Sequence, residues 1–297
     1  MDFLPINIDS KDIIKKFFNM QRIEASDMLF GNLYIWHFSR DISYCILNDC
    51  LVIKTKFANE EYPFIFYPLG LGDKIKTIKD MMDYFSSKNW RFSLRSLESH
   101  QKDEIESNMP NIFNIVPNRD RFDYLYKVED LISLNGRKLH GKKNHFNKFL
   151  NLYQNFVYER IDSSNAIDVL DTYTRWFNDN PNINDGLRNE FIGIESTLKN
   201  FDRLDMKGGI IRIDDKIAAF SLGEQINSNS VVIHIEKANT FYDGIYQAIN
   251  QQFLYNDWSD MEFVNREEDL GIKGLRHAKM TYNPIRFIEK FEVTIKE

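Results

Sequence analysis

One order of local signals, hairpin, strand, helix, strand, occurs twice along the chain. In the first half Ser43–Leu47 and Leu51–Phe57 flank Asn48-Asp49, a pair suited to a tight hairpin turn. A strand over Tyr62–Leu69 follows. Ile75, Ile78, Met82 and Phe85 then fall at helical spacing between Asp73 and Lys88, and a strand returns from Trp90 to Leu97. In the second half the hairpin lies around Asp214-Asp215, between Gly208–Ile213 and Lys216–Ile226. A strand over Val231–Lys237, a helix over Gly244–Trp258 and a strand over Met261–Val264 complete it. The turns sit at 48 and 214 and the return strands begin near 90 and 261, so the two offsets nearly agree. A repeat at that spacing implies duplication of one mixed α/β unit. A chain of 297 residues also suits two domains, expected here at 1–135 and 136–297.

Composition supports a folded chain. Hydrophobic residues make up 43% of it, with 24 Phe and 14 Tyr for the core. No apolar run approaches the roughly 18–20 residues that cross a bilayer. The N-terminus carries no basic leader, so a cytoplasmic protein is expected. Cys45 and Cys50 flank the first hairpin turn, where they would face each other across it. Two cysteines and six scattered histidines make no metal-ligand pattern, and no metal is expected.

The net charge of −6 argues against a general nucleic-acid binder, but charge is unevenly spread. From Leu131 to Tyr158 there is no acidic residue, while Arg137, Lys138, Lys142 and Lys143 crowd one short stretch. A helix is expected over Leu139–Tyr153, with Leu139, Phe146, Phe149, Leu150 and Tyr153 as its apolar stripe. Its basic residues suit a phosphate backbone.

Chemistry-bearing residues cluster late in the chain. Glu236-Lys237-Ala238-Asn239 ends a strand, and Gly244 and Tyr246 open the next helix. Asn265, Arg266, Glu267 and Asp269 follow a strand end, where ligands gather in open α/β sheets. Arg276 and Lys279, three apart, are neighbours on a helix. A strand over Arg286–Ile295 closes the chain.

The order of elements in the second half is similar to the GNAT acyltransferase fold. The runs Phe122-Asp-Tyr-Leu-Tyr126, Gly136-Arg-Lys-Leu-His-Gly-Lys-Lys-Asn-His-Phe-Asn147, Glu236-Lys-Ala-Asn239 and Asn265-Arg-Glu-Glu-Asp-Leu-Gly271 resemble a bacterial family. That family is grouped with the C-terminal catalytic domain of phosphatidylglycerol lysyltransferases. The resemblance implies two tandem GNAT-like domains, with the active site in the second. It implies transfer of an acyl or aminoacyl group to an amine or hydroxyl.

Such transfer needs a grip on the donor, a proton acceptor and stabilisation of an oxyanion. Glu236 and Glu224 are the candidate bases, with Tyr282 as donor to the leaving group. Lys237, Asn239, Gly244, Tyr246, Asn265, Arg266, Glu267, Asp269, Arg276 and Lys279 are the candidate donor-binding residues. Asp243 beside Gly244 would repel a coenzyme A pyrophosphate, which favours aminoacyl-tRNA over acyl-CoA as donor. The acceptor expected is a small molecule or a lipid headgroup. An acyl-CoA N-acyltransferase and a non-catalytic RNA- or phosphate-binding protein are the rival readings.

Overall fold

The computed structural model describes residues 1–296 and divides into two compact units. The first comprises Met1–Asp123 and Ile288–Glu297, the second Tyr124–Phe287.

The strands are β1 (Leu4–Pro5), β2 (Ser43–Leu47), β3 (Cys50–Thr55), β4 (Phe64–Phe66), β5 (Leu69–Gly70), β6 (Ser93–Leu97), β7 (Phe113–Pro117), β8 (Asp123–Lys127), β9 (Val157–Arg160), β10 (Met206–Ile213), β11 (Lys216–Gln225), β12 (Ser230–Ala238), β13 (Phe263–Asn265), β14 (Arg286–Ile288) and β15 (Phe291–Ile295). The helices are α1 (Lys11–Phe18), α2 (Phe30–Trp36), α3 (Lys74–Ser87), α4 (Ser99–Asn108), α5 (Val128–Ser133), α6 (His140–Leu152), α7 (Ala166–Asn178), α8 (Asp185–Lys199), α9 (Ile245–Asp257) and α10 (Lys273–Met280).

One sheet runs β1-β2-β3-β4-β6-β15-β7, with β5 paired to β3, and the other runs β14-β8-β13-β12-β11-β10-β9. Each sheet is built the same way. A hairpin leads to an antiparallel third strand, and a helix then crosses to a parallel neighbour. That neighbour pairing is β4 with β6 in the first unit and β12 with β13 in the second. The hairpin turns form as the local chemistry requires. Asn48 and Asp49 take φ of 50° and 58°, and Asp214 and Asp215 take 49° and 60°. Both residues of each turn are left-handed, the geometry that matches strand twist.

The sixth position of each sheet departs from the expected layout. β8 follows the last strand of the first unit yet pairs with β13 in the second sheet. β15, at the C-terminus, enters the first sheet between β6 and β7. The expected strand over 286–295 is therefore two strands in different sheets. The unit division accordingly falls at 123/124 and not at 135/136, and the last residues return to the first unit. Local patterning cannot show which sheet a strand joins, because alternation reads the same in either.

A buried ion cluster holds the returning segment. Lys290, 1% exposed, pairs with Asp123 Oδ1 at 2.6 Å and with Asp27. Asp123 also accepts the Ser26 N–H at 2.9 Å.

Other expectations also shift. Cys45 faces Val52 and Cys50 faces Leu47 in the β2–β3 ladder, so the two cysteines are offset; both are free and buried. The helix α4 was not foreseen. Only Gln101 and Ile105 of its residues are buried, too few to print a helical period. Among the described residues no helix is long and apolar enough to cross a membrane.

Lys290→Met should destabilise the protein by about 3–5 kcal/mol, because two carboxylates would lose their buried cation. Urea unfolding of the variant measures this; a loss under about 1 kcal/mol would show that water replaces the ammonium.

Candidate active site

In the second unit α9 packs on β10, β11 and β12, and α7 lies on β11. The polar end of this sheet, where β12 and β13 stop, gathers most of the residues singled out from sequence.

The first cluster lies inside the sheet. Leu222 pairs with Ile235 and Gly223 with Ile233, so His234 is the extra residue of a β-bulge. The bulge turns its ring between two carboxylates. Nε2 lies 2.9 Å from Glu224 Oε1 and Nδ1 lies 2.7 Å from Glu267 Oε1, with the His234 side chain 1% exposed. Burial on its own would lower this imidazole's pKa, but the two carboxylate bonds dominate and raise it to about 10. His234 is thus an imidazolium at neutral pH, and Glu224 and Glu267 are its counter-ions. Glu224, expected as a candidate base, is committed to this pair. Glu267, expected to bind donor, is a clamp of the loop.

The second cluster fixes that loop. Asp269 is fully buried. It accepts bonds from Tyr124 Oη at 2.5 Å, Arg276 Nε at 2.9 Å, Arg276 Nη2 at 2.7 Å and Gly271 N–H at 2.9 Å. Burial alone would raise its carboxyl, but Arg276, Tyr124 and the Gly271 amide hold it well below the usual carboxylate range. Lys279 Nζ donates to the carbonyls of Arg266, Glu267 (3.1 Å) and Glu268 (2.7 Å). Asn265 Oδ1 accepts the Glu267 N–H at 2.7 Å. Glu267 and Leu270 sit at φ of 56° and 54°, unusual values for non-glycine residues that these bonds hold in place. Asp269, Asn265, Arg276 and Lys279 thus build the frame of the loop.

The third cluster is the one with unused valence. Arg266 Nη2 pairs with Glu236 Oε2 at 2.5 Å. The other atoms of the pair, Glu236 Oε1 and Arg266 Nη1, are buried and have no hydrogen-bond partner. The Arg266 guanidinium lies 4.7 Å from the centroid of the Tyr282 ring and 6.0 Å from that of Tyr126. Lys142 Nζ lies 4.1 Å from the Tyr282 centroid. Burial raises the Tyr282 and Tyr246 phenols, so both stay protonated. Lys142 had been grouped with the nucleic-acid residues; the fold turns it into this cluster, while Arg137 and Lys138 stay exposed and Lys143 reaches Asn135 Oδ1 at 2.7 Å. Tyr126 was missed as a site residue. Its place in the Phe122–Tyr126 run was the available signal.

The remaining candidates sit to the side. Lys237 pairs with Glu190 of α8. Asn239 Oδ1 accepts the Phe241 N–H at 3.0 Å, and Asn239 lines a polar cavity of about 370 Å³ with Arg175, Trp176 and Arg212. Gly244 caps α9 at φ +78°, and a side chain there would collide with the His145 carbonyl of α6. Asp243 beside it pairs with Lys148 at 2.7 Å. Gly244 therefore serves a close helix contact, and the Asp243–Lys148 ion pair flanks the helix start. No metal-holding group of His, Cys, Asp and Glu occurs among the described residues.

Comparison with known proteins agrees with this architecture. The model of the family described as phosphatidylglycerol lysyltransferase, C-terminal, matches residues 20–294. The chain belongs to that family. A conserved protein of unknown function from Bacteroides thetaiotaomicron is 32% identical, with 100% of each chain covered and a TM-score of 0.92. L-PGS from Bacillus licheniformis is 10% identical over 95% of this chain and 91% of its own, with a TM-score of 0.64. A tandem GNAT protein from the clavulanic acid biosynthesis pathway is 5% identical over 99% and 98%, with a TM-score of 0.53. At such low identity the last two show the fold alone, and it is a tandem GNAT-like fold. An uncharacterised protein of Mycoplasmoides gallisepticum is 24% identical over 176 residues, which are 58% of this chain and 56% of that protein. The match thus spans little more than half of that relative's length. The chain thus shares its family with the C-terminal part of phosphatidylglycerol lysyltransferases and its fold with tandem GNAT proteins.

Two outcomes follow from the frame. Arg276→Ala should cost roughly 2–3 kcal/mol of stability by stripping a buried carboxylate of its cation; unchanged urea unfolding would return Arg276 to the ligand-binding group. His234 links stability to pH. Its raised value means the contribution is full below about 6.5 and is lost as pH rises through about 10. His234→Gln should flatten the fall in melting temperature over that window, and a parallel fall in both proteins would show that other groups cause it.

Proposed function

We propose that the second unit transfers an aminoacyl group from aminoacyl-tRNA to an amine or hydroxyl acceptor in the cytoplasm. The observation that carries this reading is the half-used Glu236–Arg266 pair. It keeps one buried acceptor, Oε1, beside one buried donor, Nη1. Unpaired groups of this kind are costly unless a ligand completes them. An α-aminoacyl ester offers the complement: an ammonium for Glu236 and a carbonyl oxygen for Arg266. A plain acetyl group offers only the carbonyl.

In this reading the acceptor's nitrogen or oxygen attacks the ester carbonyl carbon. The carbonyl oxygen gains negative charge, which Arg266 balances. The carbon–oxygen bond to the tRNA ribose then breaks. Tyr282, kept protonated by burial, gives its proton to the leaving ribose oxygen and regains one from the acceptor. Tyr246, next to Glu236, borders the acyl group. The exposed Arg137 and Lys138, with Lys143, meet the tRNA backbone.

The start of α9 speaks against a coenzyme A pyrophosphate. Gly244 is packed against α6, and the Asp243 carboxylate lies beside it. The family description supplies lysine and phosphatidylglycerol as the first donor and acceptor to try.

The purified protein is to be incubated with lysyl-tRNA and other charged tRNAs, with phosphatidylglycerol vesicles or small amines as acceptors. Transfer should occur and should fall by about a hundredfold or more in Glu236→Gln. Transfer from acetyl-coenzyme A and from no charged tRNA would replace this reading with acyl-CoA chemistry. RNA binding without any transfer would leave a non-catalytic binder.

A further inference from the structure

Lys142 is the one cation of the basic segment that α6 turns inward. The helix is otherwise largely exposed, with Phe149 its single fully buried residue. The other cations of the segment are exposed or paired: Lys148 with Asp243, Lys143 with Asn135. Lys142 is half-buried against the Tyr282 ring, which also carries Arg266. Lys142 Nζ has no hydrogen-bond or ion-pair partner among the described residues. Arg266 has one unpaired buried nitrogen. Two cations against one phenol ring repel each other, and burial makes the arrangement costlier. Burial, and next the Arg266 charge, lower the Lys142 pKa, as that repulsion requires. Cation–π attraction to a single tyrosine is small compensation.

We infer that Lys142 and Arg266 form a binding site for a small oxyanion beside Tyr282. Its ligand class is a singly charged, oxygen-bearing group such as a phosphate, a carboxylate or the tetrahedral oxyanion of acyl transfer. Glu236, paired with Arg266 Nη2, favours a ligand with an ammonium next to that anion. The site therefore prefers an α-ammonium oxyanion to a bare dianion. The anion site stands on geometry alone. Its use as the oxyanion site of transfer rests on the function proposed above, where Lys142 would supply the second positive charge.

Three features set Lys142 apart from a phosphate-tracking lysine on an RNA surface. It is half-buried, it lies on the Tyr282 ring, and it shares that ring with Arg266. The groups that act on it are Arg266 and the Tyr282 ring, and Glu236 and Tyr126 lie next to that pair in turn.

The test reads Lys142 directly and needs no turnover. Lysines of the full-length protein are reductively methylated with carbon-13, and Lys142→Arg identifies the Lys142 resonance by its loss. The probes are 1-aminoethylphosphonate, a tetrahedral anion beside an ammonium, inorganic phosphate, and alanine methyl ester, which has the ammonium without the anion. The Lys142 resonance should titrate below the surface lysines and shift on adding aminoethylphosphonate. In Arg266→Gln the shift should be lost or need at least tenfold more probe. The methyl ester should leave the resonance in place. A shift with phosphate as strong as with aminoethylphosphonate keeps the anion site and counts against the aminoacyl reading. No shift with either anion, or an equal shift throughout the surface lysines, overturns the inference. Salt dependence of tRNA binding provides a second check: Lys142→Gln should leave the slope unchanged, whereas joint replacement of Arg137, Lys138 and Lys143 should reduce it. A slope altered by Lys142→Gln alone would return it to the RNA surface.

Discussion

A carboxylate with no exposure to water sits at the root of the second unit. Asp269 can be buried only because Tyr124, Arg276 and the Gly271 amide together satisfy both of its oxygens. Those bonds join β8, the loop after β13 and helix α10. The three elements are distant in sequence and share one charge. Lys279 adds a second anchor by capping three successive carbonyls of the loop. The backbone that holds Arg266 is thereby fixed before any ligand arrives, which is the preorganisation that electrostatic catalysis needs.

Charge is treated in two ways within this unit. The His234 triad and the Asp269 cluster are closed networks, in which burial is offset by complete pairing. The Glu236–Arg266 pair is open, with a donor and an acceptor unused, and Lys142 stands near it without a carboxylate of its own. Closed networks hold shape, whereas open ones have something left to bind. That contrast separates frame from site more sharply than residue type does, since both contain arginine, lysine and glutamate.

Gly244 and its surroundings bear on the donor. In a GNAT-like fold the start of the helix after the fourth strand is a natural anion site, through its free amides and dipole. Here α6 approaches so closely that only glycine fits, and Asp243 lies alongside. That helix start is thus occupied by a packing contact and an ion pair of this chain's own.

Much of this was legible in the sequence. The paired hairpin turns and the mixed α/β repeat follow from turn chemistry and periodicity, which act over a few residues, whereas the tandem GNAT-like fold was implied by the family resemblance. Glu236, Arg266 and Tyr282 stand out in the sequence as reactive types near element ends, and the fold brings them together. Tertiary structure alone decided which charges were spent. The bulge at His234 breaks the strand alternation on which any facing argument rests, and so Glu224 and Glu267 became counter-ions. Arg276 and Lys279 looked like a phosphate grip because their partners, Asp269 and three loop carbonyls, are matched to them only in three dimensions. Lys142 looked like one of four basic surface residues until helix packing turned it onto Tyr282. The exchange of β8 and β15 between sheets was equally hidden. A local pattern specifies a strand and its faces, but its neighbour is chosen by long-range pairing and by the buried Lys290 cluster that secures it.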